Sequence, residues 1–226
     1  EDQLGVQLVF RGSRFQGLTP EGQRVLDWGR RIVGDMRALK DEIAAVVESA
    51  ELRSTASRQL LFVGLCNYAA GALLMPYRRF RSAARAVRHD IDRLAQQFGV
   101  SFEQACHRAT TLQREGAQGV PFFFMRIDKG GNVTKRFNAT GFHLAEHGGA
   151  CPRLDVHTSF RMPGRIVPQF VEMPDRSQFF VISRTVDRPT WARHAQDNRL
   201  AVAILAGRPE RTRSAIQSMA SSKVTL

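Results

Sequence analysis

The hydrophobic pattern of this chain changes at Gly119, and that change limits the possible folds more than any other feature. Before it, apolar residues recur at helical spacing. After it, short aromatic and β-branched runs alternate with turn residues. PFFFMRID reads as a strand, KGGN as a turn and VTKRFNATGF as the return strand. Further strands are expected in RIVPQFVEM, SQFFVISRTV and RLAVAILAG, with Pro163, Pro174 and Pro189 as breaks. A helical half followed by a mainly antiparallel sheet is an α+β fold.

The helical half carries its own punctuation. Gly5 ends a short N-terminal helical piece, and LVFRGSRFQGLT reads as two short strands around Gly12-Ser13. Thr19-Pro20-Glu21 then starts a helix. The hydroxyl can cap, the proline lacks an N–H where none is needed, and the acid suits the positive end of the helix. Val25, Leu26, Ile32, Val33, Met36, Leu39, Ile43, Val46 and Val47 form a stripe along this helix as far as Glu48. With little nearby to cover it, the stripe suggests a dimerisation arm. A second helix begins near Ser54 and runs through LLFVGLCNYAAGALL to Pro76. Residues 77–87 are basic and helical, Asp90–Phe98 is amphipathic and stopped by Gly99, and Ser101 with Gln104 forms a capping box.

Composition narrows the partners. The net charge of +12 is high for 226 residues and favours an anionic partner. Arginines cluster at Arg78–Arg81 and Arg208–Arg213. Three scattered cysteines make no disulfide framework and fit a reducing cytoplasmic setting. No apolar run is long enough for a membrane span. The chain opens on Glu1-Asp2-Gln3 without a leader and reads as a fragment or processed form.

Two resemblances follow from these motifs. NYAAGALLMPY, FGVSFEQACHRATTLQ, GVPFFFMRID, GNVTKR, GFHLAEHGGACP and FVEMPD occur in the order found in short-chain fatty acyl-CoA transcriptional regulators, over about 55–187. That sensor region is itself similar to ImmA/IrrE-type proteins. LGVQL, FRGSR, LTPEG and the helix after them resemble the wing and linker helix of LysR-type regulators, over about 2–50. The second resemblance implies DNA-phosphate contacts from Arg11 and Arg14. It lacks the recognition helix, and no LysR-like effector domain follows. The organisation expected is a partial winged helix with linker helix (1–50), an acyl-CoA-sensor-like domain (51–187) and a basic C-terminal segment (188–226).

The chemistry expected is binding. Coenzyme A esters need cations for phosphate, hydrogen bonds for the arm and apolar surface for the acyl group. Phe122 and Phe124 fall on one face of their strand, with Arg126, Lys135 and Arg136 nearby and Tyr68 and Tyr77 flanking the small-residue helix. Phe122 and Phe124 are equally readable as core, and Arg126 as half of an ion pair with Asp128 or Glu172. His143, Glu146, His147 and Cys151 spell a weak zinc-site candidate, H-x-x-E-H followed by a thiol. Gly148-Gly149 and Pro152 break the helix such a site needs, and no H-E-x-x-H precedes the small-residue helix.

The expected function is therefore a non-enzymatic, cytoplasmic transcriptional regulator that senses short acyl-CoA, without a bound cofactor. DNA, the acyl-CoA effector and a second copy joined through the linker helix are its expected partners. The alternatives are a LysR-type DNA-binding protein with an incidental C-terminal part, a degenerate zinc metallopeptidase-like domain, and a truncated fusion without activity.

Overall fold

A computed structural model describes residues 5–10, 16–140, 142, 154–173, 176–187 and 200–207. Arg11, Arg14, His143, Glu146, His147 and Cys151 lie outside the described residues. The chain divides into two compact units, residues 1–70 and 71–226.

In the first unit, Val9 and Leu18 form an antiparallel bridge, with Phe10 N–H donating to Gly17 O at 3.0 Å. This pairing leads directly into α1, Pro20–Ser49. Thr19 caps the helix by accepting from Gly22 N–H at 3.0 Å, while its own hydroxyl donates to Gln7 O at 2.7 Å. Gly22 is obligatory here, because a Cβ would stand 1.9 Å from Leu8 O. The expected helix start and length both hold. Helix α2, Thr55–Leu74, follows and buries no side chain among the described residues. Cys66 is half-buried on it. An open cavity of about 730 Å³ separates the end of α1 from the start of α2, between Val47, Phe62 and Val63. No single described helix is long and apolar enough to cross a membrane.

The second unit is an antiparallel sheet with helices on one face. Its helices are α3 (Tyr77–Ala86), α4 (Ile91–Phe98) and α5 (Phe102–Thr110). Asp90 caps α4, and Gly99 ends it in the left-handed region at φ 63°. The expected capping box on α5 forms in full, with Ser101 and Gln104 exchanging side-chain and backbone bonds. Between α3 and α4, Arg88 and His89 both take positive φ, 51° and 63°. Nothing in A-V-R-H-D announces that turn. The bond from His89 N–H to Ala84 O at 2.7 Å holds it closed.

The strands are β1 (Phe122–Ile127), β2 (Val133–Asn138), β3 (Val167–Glu172), β4 (Gln178–Val186) and β5 (Leu200–Gly207), in the order β2-β1-β5-β4-β3. Strand β5 is central, although it belongs to the stretch expected as a basic C-terminal segment. Period-2 alternation sends Phe122 and Phe124 to the helix face and Phe123 and Met125 to the other. Met75, Phe80, Leu94, Ala105, Ile182 and Ile204 complete the helix-side core. Phe142, Leu154, Val156 and Phe179 complete the opposite one, beside a 3-10 turn at Asp155–Phe160. The α+β expectation is met by this architecture.

Candidate functional site

Where α5 crosses the β1–β2 ribbon, side chains from three elements meet on the helix face of the sheet. Strand pairing sets the arrangement. Arg126 stands opposite Lys135, and Phe124 opposite Phe137, so all four share one face. Helix α5 adds Glu103 and His107, which lie four residues apart and so point the same way. Arg126 donates to Glu103 Oε1 at 2.8 Å and to Thr134 Oγ1 at 2.9 Å. The ion pair expected for Arg126 with Asp128 or Glu172 does not form. Asp128 instead closes its own hairpin turn by accepting from Asn132, whose side chain holds the carboxyl below its ordinary pKa. Glu172 accepts from Gln178 at 2.9 Å.

Lys135 places its ammonium 6.0 Å from the Phe124 ring centre. Burial pushes its pKa down, opposed by the Glu103 carboxylate and reinforced by Arg126. His107 lies edge-on between Phe124 and Phe137, with ring centres 5.9 and 5.2 Å away. Burial, then Lys135 and Arg108, lower its pKa to about 4, so it is neutral at ordinary pH. The corner thus holds two cations, one carboxylate and one neutral imidazole on an aromatic floor. Its net positive charge in a half-buried setting suits one anionic group that accepts hydrogen bonds.

The sequence-derived set is brought together only in part. Phe124, Arg126 and Lys135 converge. Phe122 shares their face, but its ring meets His89 at 5.7 Å. Both phenylalanines are core, 1% and 0% exposed, so they support the corner from beneath. Arg136 pairs opposite Met125 and is therefore exposed on the far face. Tyr77 is occupied elsewhere: its hydroxyl donates to Ala117 O and accepts from Arg114 N–H, under the Arg114 guanidinium at 4.5 Å. Tyr68 belongs to the first unit, 45% exposed. Glu103, Thr134 and His107 were not anticipated as site residues. The i,i+4 spacing of Glu103 and His107 on a capped helix is visible in the sequence, but which strand that face meets is not.

A second concavity, about 320 Å³, lies at the β3–β4 end of the sheet between Phe170, Phe180 and Ala206, with Glu172 and Gln178 at its rim. Its apolar floor suits a small hydrocarbon group, and its carboxylate opposes phosphate. Cys106 is fully buried, which pushes its thiol pKa well up and leaves it unreactive. Among the described residues, no group of His, Cys, Asp and Glu is placed to hold a metal ion.

Residues 111–221 match the family model described as short-chain fatty acyl coenzyme A regulator, C-terminal, and residues 40–110 match the IrrE N-terminal-like domain. The chain is 44% identical over 164 residues to the propionyl-CoA carboxylase regulator of Cereibacter sphaeroides, covering 73% of this chain and 36% of that protein. It is 48% identical over 145 residues to the HTH-type transcriptional regulator PrpR of Mycobacterium tuberculosis, covering 64% of this chain and 30% of that one. RamB of the same organism, also an HTH-type transcriptional regulator, is 44% identical over 147 residues, 65% of this chain and 31% of its own. A solved Mycobacterium tuberculosis transcriptional regulator superposes with a TM-score of 0.72 at 39% identity, covering 82% of this chain and 56% of that chain. The chain spans about a third of the length of these curated relatives. The acyl-CoA regulator and IrrE-like resemblances are supported by these matches. The LysR-type resemblance of residues 2–50 is not, the family-model matches starting at residue 40.

Proposed function

We propose that this chain is the ligand-sensing part of a cytoplasmic transcriptional regulator, binding a short-chain acyl-CoA and passing that signal to DNA, without catalysis of its own. The Glu103–Arg126–Lys135 corner carries the reading. It is a half-buried, cation-rich cluster, and its two cations fall within residues 111–221, the stretch that matches the short-chain fatty acyl coenzyme A regulator model. In this assignment Arg126 and Lys135 take a phosphate of the ligand. Glu103 holds Arg126 in place, and the Phe122–Phe124 row keeps the strand rigid beneath. An ester that prefers one arrangement of the sensor biases the regulator by its difference in affinity.

Calorimetry with acetyl-, propionyl- and free CoA tests this directly. Lys135→Gln should weaken binding by roughly 10- to 100-fold, the worth of one hydrogen bond to a charged group. Arg136→Gln, on the far face, should change it less. Absence of any heat from the unaltered chain at millimolar ligand overturns the assignment.

Self-association through α1 belongs to the same reading. Val25, Trp28, Ile32 and Met36 recur at three and four and are 45%, 63%, 59% and 51% exposed. Such a stripe is stable in water only when covered. Ile32→Glu with Met36→Glu should convert a dimer to a monomer in sedimentation velocity. A monomeric parent chain refutes the helix as a dimer arm.

A further inference from the structure

Helix α3 is divided sharply between its two sides. Phe80 and Ala84, four apart, are buried in the helix-side core at 0% and 1% exposure. Arg78, Arg79 and Arg85 point the other way and are exposed. At 100° per residue they occupy about a third of the helix circumference. The thirteen residues 77–89 contain five arginines and no acid. Among the described residues, Arg78, Arg79, Arg85 and Arg88 have no ion-pair partner. Arg81 is already engaged, its Nε donating to Gln118 O at 3.2 Å. Arg114, held over Tyr77, adds a further cation at the start of the helix.

Resting on the DNA-binding part of the reading above, we infer that this arginine face of α3 lies against the phosphodiester backbone of duplex DNA, as a contact separate from any recognition helix. Charge complementarity selects the partner, and shape selects among anions. The exposed side of a helix is convex, whereas a cofactor-sized ligand is held in a concavity. A phosphate backbone accepts a convex element laid across it. From Arg78 to Arg85 the helix rises about 10 Å, the axial rise of roughly three phosphates of one strand. An anionic membrane fits less well. A helix lying in a bilayer surface needs a free apolar face, and the apolar face of α3 is already used in the core.

The test compares the unaltered chain with Arg78→Gln/Arg79→Gln/Arg85→Gln on two unrelated duplexes across a salt series, by fluorescence anisotropy. A control with equal net charge, Arg161→Gln/Arg165→Gln/Arg176→Gln, removes exposed arginines from the sheet side. The α3 variant should lose roughly 100-fold in affinity at low salt, equally on both duplexes, and its salt slope should become shallower by about three. The control should keep most of both. Equal losses in the two variants, or none in the α3 variant, overturn the inference while leaving DNA binding itself standing. No duplex binding by the unaltered chain removes the DNA-binding reading along with it. Loss of binding to phosphatidylserine vesicles with duplex binding intact reassigns the face to a membrane. Loss confined to free CoA, read by calorimetry, reassigns it to the effector.

Discussion

Phe124→Ala should lower the stability of the second unit by about 3–5 kcal/mol, read as a shift in the urea midpoint at constant slope. The ring is fully buried, with α5 above it and the central strand β5 beside it. Truncation leaves a void in the helix-side core, which the surrounding side chains fill only in part. Total stabilities of single domains are about 5–15 kcal/mol, so the loss is a large fraction of the whole. Phe124→Leu keeps most of the volume and should cost much less. A midpoint unchanged by Phe124→Ala contradicts the core position assigned to this ring.

Acid should weaken the same unit before any carboxylate titrates. Burial, with Arg85 adding to it, lowers the His89 pKa from 6.5 to about 4. The ring lies against Phe122, and Nδ1 is buried without a hydrogen-bond partner among the described residues. Between these two values the unfolded chain binds the proton and the folded chain does not. Stability therefore rises with pH across that window and is complete above the unfolded value. The span of the shift corresponds to about 3 kcal/mol for His89. His107, lowered in the same direction, steepens the slope. Unfolding free energies measured from pH 7 to pH 4 should fall steadily. His89→Asn, which suits a left-handed backbone position and does not titrate, should flatten the curve. An identical slope in that variant shows that His89 is not the group responsible.

Local chemistry made much of this architecture readable. Thr19-Pro20-Glu21, Ser101 with Gln104, and Gly99 each act within one helical turn, and each does what its side chain dictates. The K-G-G-N turn and the facing of Phe122 and Phe124 also follow from nearest-neighbour geometry. The long-range pairings were not readable. Arg126 finds Glu103, 23 residues back, in preference to the nearer Asp128, because a turn carboxylate already saturated by Asn132 has little to offer. The strand order was hidden for the same reason, since Phe122 pairs with Ala206 across most of the unit. The positive φ at Arg88 and His89 has no glycine or asparagine to signal it, and the turn is held by the His89 N–H to Ala84 O bond. For the site, residue types were legible and convergence was not. Strand pairing sends Lys135 and Arg136 to opposite faces, and proximity in sequence hides that split.

The position of β5 has a consequence for synthesis. The chain emerges from the ribosome with β1–β2 and β3–β4 as two separate ribbons, each with a bare apolar inner edge. The strand that joins them is the last to arrive. Until residue 207 has cleared the exit tunnel, Phe123, Met125, Phe180 and Ile182 wait on half-built layers, where a neighbouring nascent chain could pair in place of the missing strand. Premature termination upstream of Leu200 should therefore yield insoluble material and not a smaller folded product.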